Sequence, residues 1–490
     1  MLYAYFLHYS WTIPIQSDSA NYLLMSRAML RGNLFLHGWY LSYDPFWLTD
    51  LPIYAIGILV RGMTPALLHD VPALLWTIAV LIAFELMCPG TNPRRRWPIL
   101  ALSLLALIAI PSFFASFALE GPVHIGTLDV VLGSLLLMEY RNQIDVRLYW
   151  SGSITLFAIA ILSDPFAIWM YYLPLALYSV VTALRSSPHS LWGGTTPFVA
   201  TTVALIAADG LKAGIGMLGG LHTAVLPAQF VAYDHLGANL SLLVQGLLAL
   251  YGANFFGQAV NPLSAASLVR LGFAILSLSV VVRVVYRWAR YGQEDGARVV
   301  ASLAAILLVL EYCFSTTPVD MGTSRYLLPV IVFAIIVTAR TIVHPTSGHA
   351  RWLLPVLGVV VAYSLLMPAV AGVAVPEPVA PPQFLAAWLS KHGLTDGYGS
   401  YWDASVITVY SSNHVRVRAV VSNGTRLVPF FWMANPSWYT GTKARFLVFD
   451  DSDWGGVNIS SAIATWGRPA TVSLVGPYTV AIWNHALSAN

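Results

Sequence analysis

The sequence predicts a multi-pass α-helical membrane protein of about eleven transmembrane helices with a small α/β domain at its C-terminal end. Three observations predict it. Hydrophobic residues make up 57% of the 490 positions and charged residues 10%, with a mean hydropathy of +0.69, where a soluble domain carries roughly 25% charge. Apolar runs approaching the ~20 residues of a spanning helix recur along most of the chain. After Met367 the composition turns to charge, aromatics and turn residues. A net charge of +3 with no basic block excludes nucleic acid as a partner. Only three lysines (Lys212, Lys391, Lys443) accompany 22 arginines in an Ala- and Gly-rich chain, a bias that points to a GC-rich bacterial source.

The runs fall at 1–16, 71–88, 98–117, 124–139, 149–163, 166–184, 194–211, 266–288, 299–315, 325–340 and 352–374. The first is short and has no basic residue ahead of it, unlike a cleavable signal peptide. The stretch 240–256 reads as an interfacial or re-entrant helix rather than a twelfth span, because Gly and Asn interrupt it. Positive residues collect on the cytoplasmic side. With the N-terminus inside, twelve basic residues lie in inner loops (Arg94, Arg95, Arg96, Arg141, Arg147, Arg185, Arg283, Arg287, Arg290, Arg298, Arg340, Arg351). Six lie in outer ones (Arg27, Arg31, Arg61, Lys212, Arg270, Arg325). The protein is therefore expected in the cytoplasmic membrane, N-terminus inside, with 17–70 and the C-terminal tail outside. Cys88 and Cys313 fall on opposite sides, so no disulfide is expected.

Three segments follow from this: a membrane domain over 1–375, a Pro-rich linker over 376–383 and a soluble α/β domain over 384–490. In the last, "QFLAAWLSKHG" reads as a helix, and "HVRVRAVV", "RFLVFD", "TVSLVG" and "YTVAIWN" read as strands. The aromatic stretches "GYGSYWDASVITVYS" and "PFFWMANPSWYTG" read either as packed core or as an acceptor-binding face.

The first outer loop carries most of the ionisable chemistry. Helical spacing places Ala20, Leu23, Leu24 and Ala28 of "SANYLLMSRAML" on one face, predicting an amphipathic helix along the membrane surface. "LPIYAIGILV" is too short to span and reads as a second such helix. Asp18 stands between the first span and the first of these helices. Asp44 and Asp50 follow, and Glu120 and His124 of "LEGPVHIGTLD" return to the same side. "LSDPF" with Asp164 reads as a tight turn.

Four features together resemble the GT-C superfamily of integral membrane glycosyltransferases, which includes protein mannosyltransferases and the aminoarabinose transferase of lipid A. They are an acidic residue right after the first span ("SDSANYLLMSRAMLRGN"), a Pro-containing surface segment before the second ("TDLPIYAIGILVRGMTPALLHDVPALL"), the "SRYLLP" opening of a late span, and a domain after the final helix. The Asp-Glu pair common in that family is Asp18-Ser19 here. The resemblance implies an inverting transfer of a hexose or pentose from a polyprenyl-phosphate donor, drawn from the membrane lipids, to a hydroxyl of an envelope glycan, lipid or protein.

That chemistry needs a base for the acceptor proton and a cation for the departing phosphate. Asp18 is the candidate base, with helix capping as its structural alternative. Arg325 is the candidate phosphate ligand, with snorkelling or a pair to Asp320 as alternatives. Asp44, Asp50, Glu120 and His124 are candidates to orient the acceptor or hold a divalent cation, or else solvated loop residues, an Asp50 helix cap and a His124–carbonyl bond. The sequence requires no particular metal. A non-catalytic transporter or lipid-linked saccharide flippase is the other class; it would more often show paired halves with broken helices near mid-membrane and polar residues at mid-span, whereas no such internal symmetry is visible and the polar cluster lies at one face.

Overall fold

A computed structural model describes residues 1–89, 107–108, 110–185, 191–225, 229–292, 294–343, 380–441 and 443–489. The expected span at 352–374, the first half of that at 98–117, the first half of the Pro-rich linker and the arginines Arg94, Arg95, Arg96 and Arg351 lie outside them.

The helices of the N-terminal part are α1 (Leu2–Ser10), α2 (Ser17–Leu30), α3 (Leu51–Arg61), α4 (Leu67–Met87), α5 (Ser112–Ala118), α6 (Ile125–Glu139), α7 (Val146–Ser163), α8 (Leu173–Arg185), α9 (Leu191–Met217), α10 (Leu236–Leu250), α11 (Pro262–Tyr291), α12 (Gly296–Phe314) and α13 (Leu328–Val343). A π-helical turn, Ile168–Tyr172, leads into α8, and a 3-10 turn, Met321–Leu327, leads into α13. Among the described residues six segments are long and apolar enough to cross a membrane: α4, α7, Thr196–Met217 of α9, α11, α12 and Met321–Ile342. The runs at 1–16 and 124–139 form helices of 9 and 15 residues. Helix α4 packs on α1, α6 and α13, and α12 touches α6, α8, α11 and α13, so the long helices form one bundle around a common apolar core.

Charge is concentrated at the two ends of this bundle. At one end Arg340, near the end of α13, is buried; it bonds to Glu139 at 2.9 Å, to Asp295 and to the Leu86 carbonyl at 2.9 Å. Arg287 and Arg298 both hold Glu294. The other end, roughly 22 Å away by the length of a 15-residue helix, gathers the N-terminus of α2, the loops after α2, α5 and α7, and the turn before α13.

Helix α2 departs from the expected surface helix. Ser17 and every residue from Ser19 to Ser26 are buried, so both its polar and apolar faces are covered. Its polar face is used for bonding: Ser26 Oγ donates to the Leu51 carbonyl at 3.0 Å, and the Tyr22 hydroxyl donates to the Asp44 carbonyl at 2.9 Å. Helix α3 does keep an apolar exposed edge at Ile56, Leu59 and Val60.

The C-terminal part holds α14 (Pro381–Lys391), α15 (Tyr401–Tyr410), α16 (Ile459–Trp466) and strands β1 (Asp396–Gly399), β2 (Arg416–Ser422), β3 (Leu427–Pro429), β4 (Ala444–Phe449), β5 (Thr471–Val475) and β6 (Tyr478–Leu487). They form a six-stranded mixed sheet of order β3-β2-β1-β4-β6-β5, with β1 parallel to β2 and β4 and the other pairs antiparallel. The four expected strands are present; β1 and β3 are additional, too short and too rich in Gly or Pro to signal themselves. The alternation expected in "HVRVRAVV" does not set one polar face, because Arg418 is buried with its guanidinium 4.3 Å over the Trp438 ring. Two apolar clusters lie within this part, one around Phe446 and Val480 and one around Leu447 and Trp483. Helix α15 packs on β2 and on α2, and Val406 and Val409 join the core of the bundle.

Candidate active site

The sequence around Asp18 sets its position. Gln16 is extended, α2 begins at Ser17, and Asp18 falls in the first turn, where a helix favours negative charge. The N-cap residue is Gln16, whose side chain makes no capping bond. Asp18 Oδ1 instead accepts a hydrogen bond from the Tyr401 hydroxyl, at the start of α15. The loop carrying Glu120 is held against the same turn by Ser19 Oγ, which donates to the Glu120 carbonyl at 3.0 Å. Gly121, at φ +155°, passes so near that a Cβ there would stand 2.9 Å from the Ser19 Cβ.

Arg325 stands on the turn before α13, where its positive charge acts on Asp18, Asp44 and Glu120 together. Its guanidinium lies 5.1 Å from the Tyr326 ring centre, and among the described residues no carboxylate comes within 4.0 Å of it. Asp320, the partner the sequence left open, caps the turn by accepting from the Thr323 backbone N–H at 3.2 Å. Burial raises the pKa of Asp18, opposed by the Tyr401 bond and by Arg325. Burial and the neighbouring charge of Asp18 push Glu120 up to about 7, again opposed by Arg325.

His124 enters α6 in the left-handed region, φ 61°, an uncommon conformation for a residue with a side chain. Its bond is not to a carbonyl. Nδ1 meets Asp164 Oδ2 at 2.7 Å, and Nε2 faces Asp44 Oδ2 at 4.0 Å. Asp164 does make the expected turn, accepting from the Phe166 N–H at 2.9 Å, but its second oxygen belongs to this group. Burial pushes Asp44 up to about 7, reinforced by Asp164 and opposed by His124. Burial acts on Asp164 in the same direction, but the His124 bond outweighs it and leaves Asp164 below the usual range. One ligand atom from each of Asp44, His124 and Asp164 lies within 4.8 Å of the others, a spacing and donor set that fit a divalent cation.

Asp50 is neither solvated nor a cap. Its backbone carbonyl accepts from the Ile53 and Tyr54 N–H groups of α3 at 3.0 and 3.1 Å, but its side chain makes no bond to the helix; it is fully buried, and neither carboxylate oxygen has a donor in hydrogen-bonding geometry among the described residues. Burial raises it to about 7, with the Thr49 hydroxyl opposing. Its carboxylate lies against Gly126 in the first turn of α6. Asp129, one turn further along, also has both oxygens buried without a hydrogen-bond partner among the described residues. Asp129 was not singled out in the sequence, although a carboxylate inside the apolar run "IGTLDVVLG" is itself a signal. Tyr401 carried no such signal among 24 tyrosines.

Two solved structures are similar to the chain. One is ArnT from Cupriavidus metallidurans in the apo state, with a TM-score of 0.58 and 15% identity over 97% of this chain and 95% of that one. The other is ArnT from the same organism bound to undecaprenyl phosphate, with a TM-score of 0.55 and 14% identity over the same shares. The likeness runs through nearly all of both chains and shows that they share a fold. No family model matches the sequence, and no curated protein matches it.

Proposed function

We propose that this chain is an integral membrane glycosyltransferase that moves a sugar from a polyprenyl-phosphate donor to a hydroxyl of an envelope acceptor. The observation that carries the reading is the position of Arg325, a guanidinium without a carboxylate partner among the described residues, at the end of the bundle where Asp18, Asp44 and Glu120 converge. The fold adds to it, since one of the similar structures holds undecaprenyl phosphate.

In this reading the acceptor O–H gives its proton to Asp18 as its oxygen bonds to the anomeric carbon. The bond from that carbon to the phosphate oxygen breaks on the opposite side, and the configuration inverts. Arg325 holds the departing phosphate through planar, charge-assisted bonds, and Glu120 orients the acceptor. Asp44, His124 and Asp164 would hold a divalent cation, whose charge stabilises a phosphate. The clustering of polar side chains at one end of the bundle supports a reaction on the outer face, in a topology of about eleven spans with the N-terminus inside and the C-terminal domain outside. No observation favours the transporter reading over this one.

The test is transfer from a polyprenyl-phosphate sugar pool to envelope acceptors by purified protein in vesicles. Asp18→Asn is expected to fold normally and lose ~100-fold or more in rate. Arg325→Lys should keep partial activity, because it supplies charge without the fork, while Arg325→Ala should lose most of it and bind donor more weakly. Near-normal turnover in well-folded Asp18→Asn and unchanged donor affinity in Arg325→Ala would sink the reading.

A further inference from the structure

The C-terminal domain reaches the candidate site through one helix. Tyr401, at the start of α15, is 3% exposed and donates its hydroxyl to Asp18 Oδ1. The same hydroxyl accepts from Asn21 Nδ2 at 3.4 Å, and Asn21 Oδ1 accepts from Ser405 Oγ at 2.5 Å, one turn along α15. All three bonds cross between α2 and α15, and Asp18 and Asn21 are three residues apart on one face of α2. The Tyr401 ring is fixed independently of its hydroxyl, against Trp402, Phe430 and Trp454 with centres 5.1, 5.3 and 5.6 Å away.

We propose that Tyr401 is a positioning residue for Asp18, so that docking of the C-terminal domain completes the site rather than merely covering it. This rests on Asp18 being the base. A carboxylate that must take a proton has to be ionised and correctly turned before the acceptor arrives. Partial burial works against ionisation, and a donated hydrogen bond to the charged form favours it. Toward Asp18 the Tyr401 hydroxyl is the donor, because burial and the neighbouring Asp18 charge raise its own pKa and keep the phenol protonated. The groups whose charge or hydrogen bonding bears on Asp18, among the described residues, are Tyr401 from α15, Arg325 from the turn before α13, Glu120 from the loop before α6, and Tyr22 on its own helix. Tyr401 and Arg325 favour the ionised form and Glu120 disfavours it; Tyr22 stays protonated, its own pKa raised by burial.

The test uses full-length protein and Tyr401→Phe, which keeps the ring and removes the hydroxyl. Infrared difference spectra recorded against pH follow the protonated carboxyl band of Asp18, identified by its loss in Asp18→Asn. Tyr401→Phe is expected to move that titration upward by ~1 pH unit, the scale of a hydrogen bond to a charged group. The acidic limb of the pH–rate profile should move with it, kcat should fall ~10-fold, and donor KM should stay unchanged. If Tyr401→Phe fails to fold, Asn21→Ala, which removes the amide between Ser405 and Tyr401, should shift the titration in the same direction. An unshifted Asp18 titration in every variant that folds overturns the proposal. A shifted titration in a protein that transfers no sugar supports the pair and counts against glycosyl transfer instead.

Discussion

Asp50 sits in an environment poorly compatible with its charge: it is fully buried, and its carboxylate oxygens have no donor in hydrogen-bonding geometry among the described residues. With its pKa raised to about 7 in the folded state, against roughly 3.9 for an unfolded Asp, the native protein binds a proton here that the unfolded chain releases. Its stabilising contribution is therefore complete below about pH 4 and is lost as pH rises through 7. Asn is uncharged and nearly isosteric, so Asp50→Asn should remove this term. The melting temperature of purified Asp50→Asn is expected to fall less between pH 5 and pH 8 than that of the parent, and to exceed it at pH 8. Parallel melting curves across that range would mean that Asp50 is ionised and balanced by a group other than those described. At this scale much could be read from sequence, because an ionisable residue in a chain with 10% charge stands out. Asp18, Asp44, Glu120, His124 and Arg325 come to one end of the bundle although more than 300 residues separate the first from the last. Tyr401 could not be read, because its use depends on a tertiary contact across 383 positions.

The elements were legible where periodicity and length dominate, and less so where a second layer covers them. Among the described residues the long apolar runs form helices and the β-branched runs form strands. Helix α2 looked one-sided because its polar face bonds to other protein groups rather than to water, which sequence alone does not distinguish. The close fit of neighbouring elements also went unseen, and it rests on glycines. The loop that carries Glu120 touches α2 at Gly121, where a Cβ would stand 2.9 Å from the Ser19 Cβ and where φ is +155°. Gly121→Ala introduces both a clash and backbone strain. The expected result is loss of the Ser19–Glu120 bond, displacement of Glu120 from Asp18, and a fall in transfer rate with the protein still inserted. A matched Ala at Gly424, also at positive φ (+100°) but with nothing within 4 Å, should cost stability without touching transfer. Equal activity of the two variants would show that the loop's approach to α2 has no part in the reaction.

For the whole molecule the decisive feature is the separation of its charges. Arg340 with Glu139 and Asp295, and Glu294 with Arg287 and Arg298, close one end of the bundle. The carboxylates around Arg325 and the docked C-terminal sheet occupy the other. Helix α6 runs from His124 at the second end to Glu139 at the first, so the two groups lie at opposite ends of the bundle. The arginine-bearing end is the one expected inside, which predicts the sheet and the site outside. A cysteine at Thr425, an exposed position in the turn between β2 and β3, tests this in a background with Cys88 and Cys313 replaced by Ala. Thr425 is preferable to Ser411, whose hydroxyl is bonded to the Thr408 and Val415 carbonyls at 2.9 and 3.0 Å. Thr425→Cys should react with a membrane-impermeant thiol reagent in intact cells, at the same extent as after lysis. Reaction only after lysis would turn the molecule over, placing Asp18 and Arg325 on the inner face. The donor would then have to be presented from the opposite leaflet, since the site and the sheet are tied together by Tyr401 and must change sides as one.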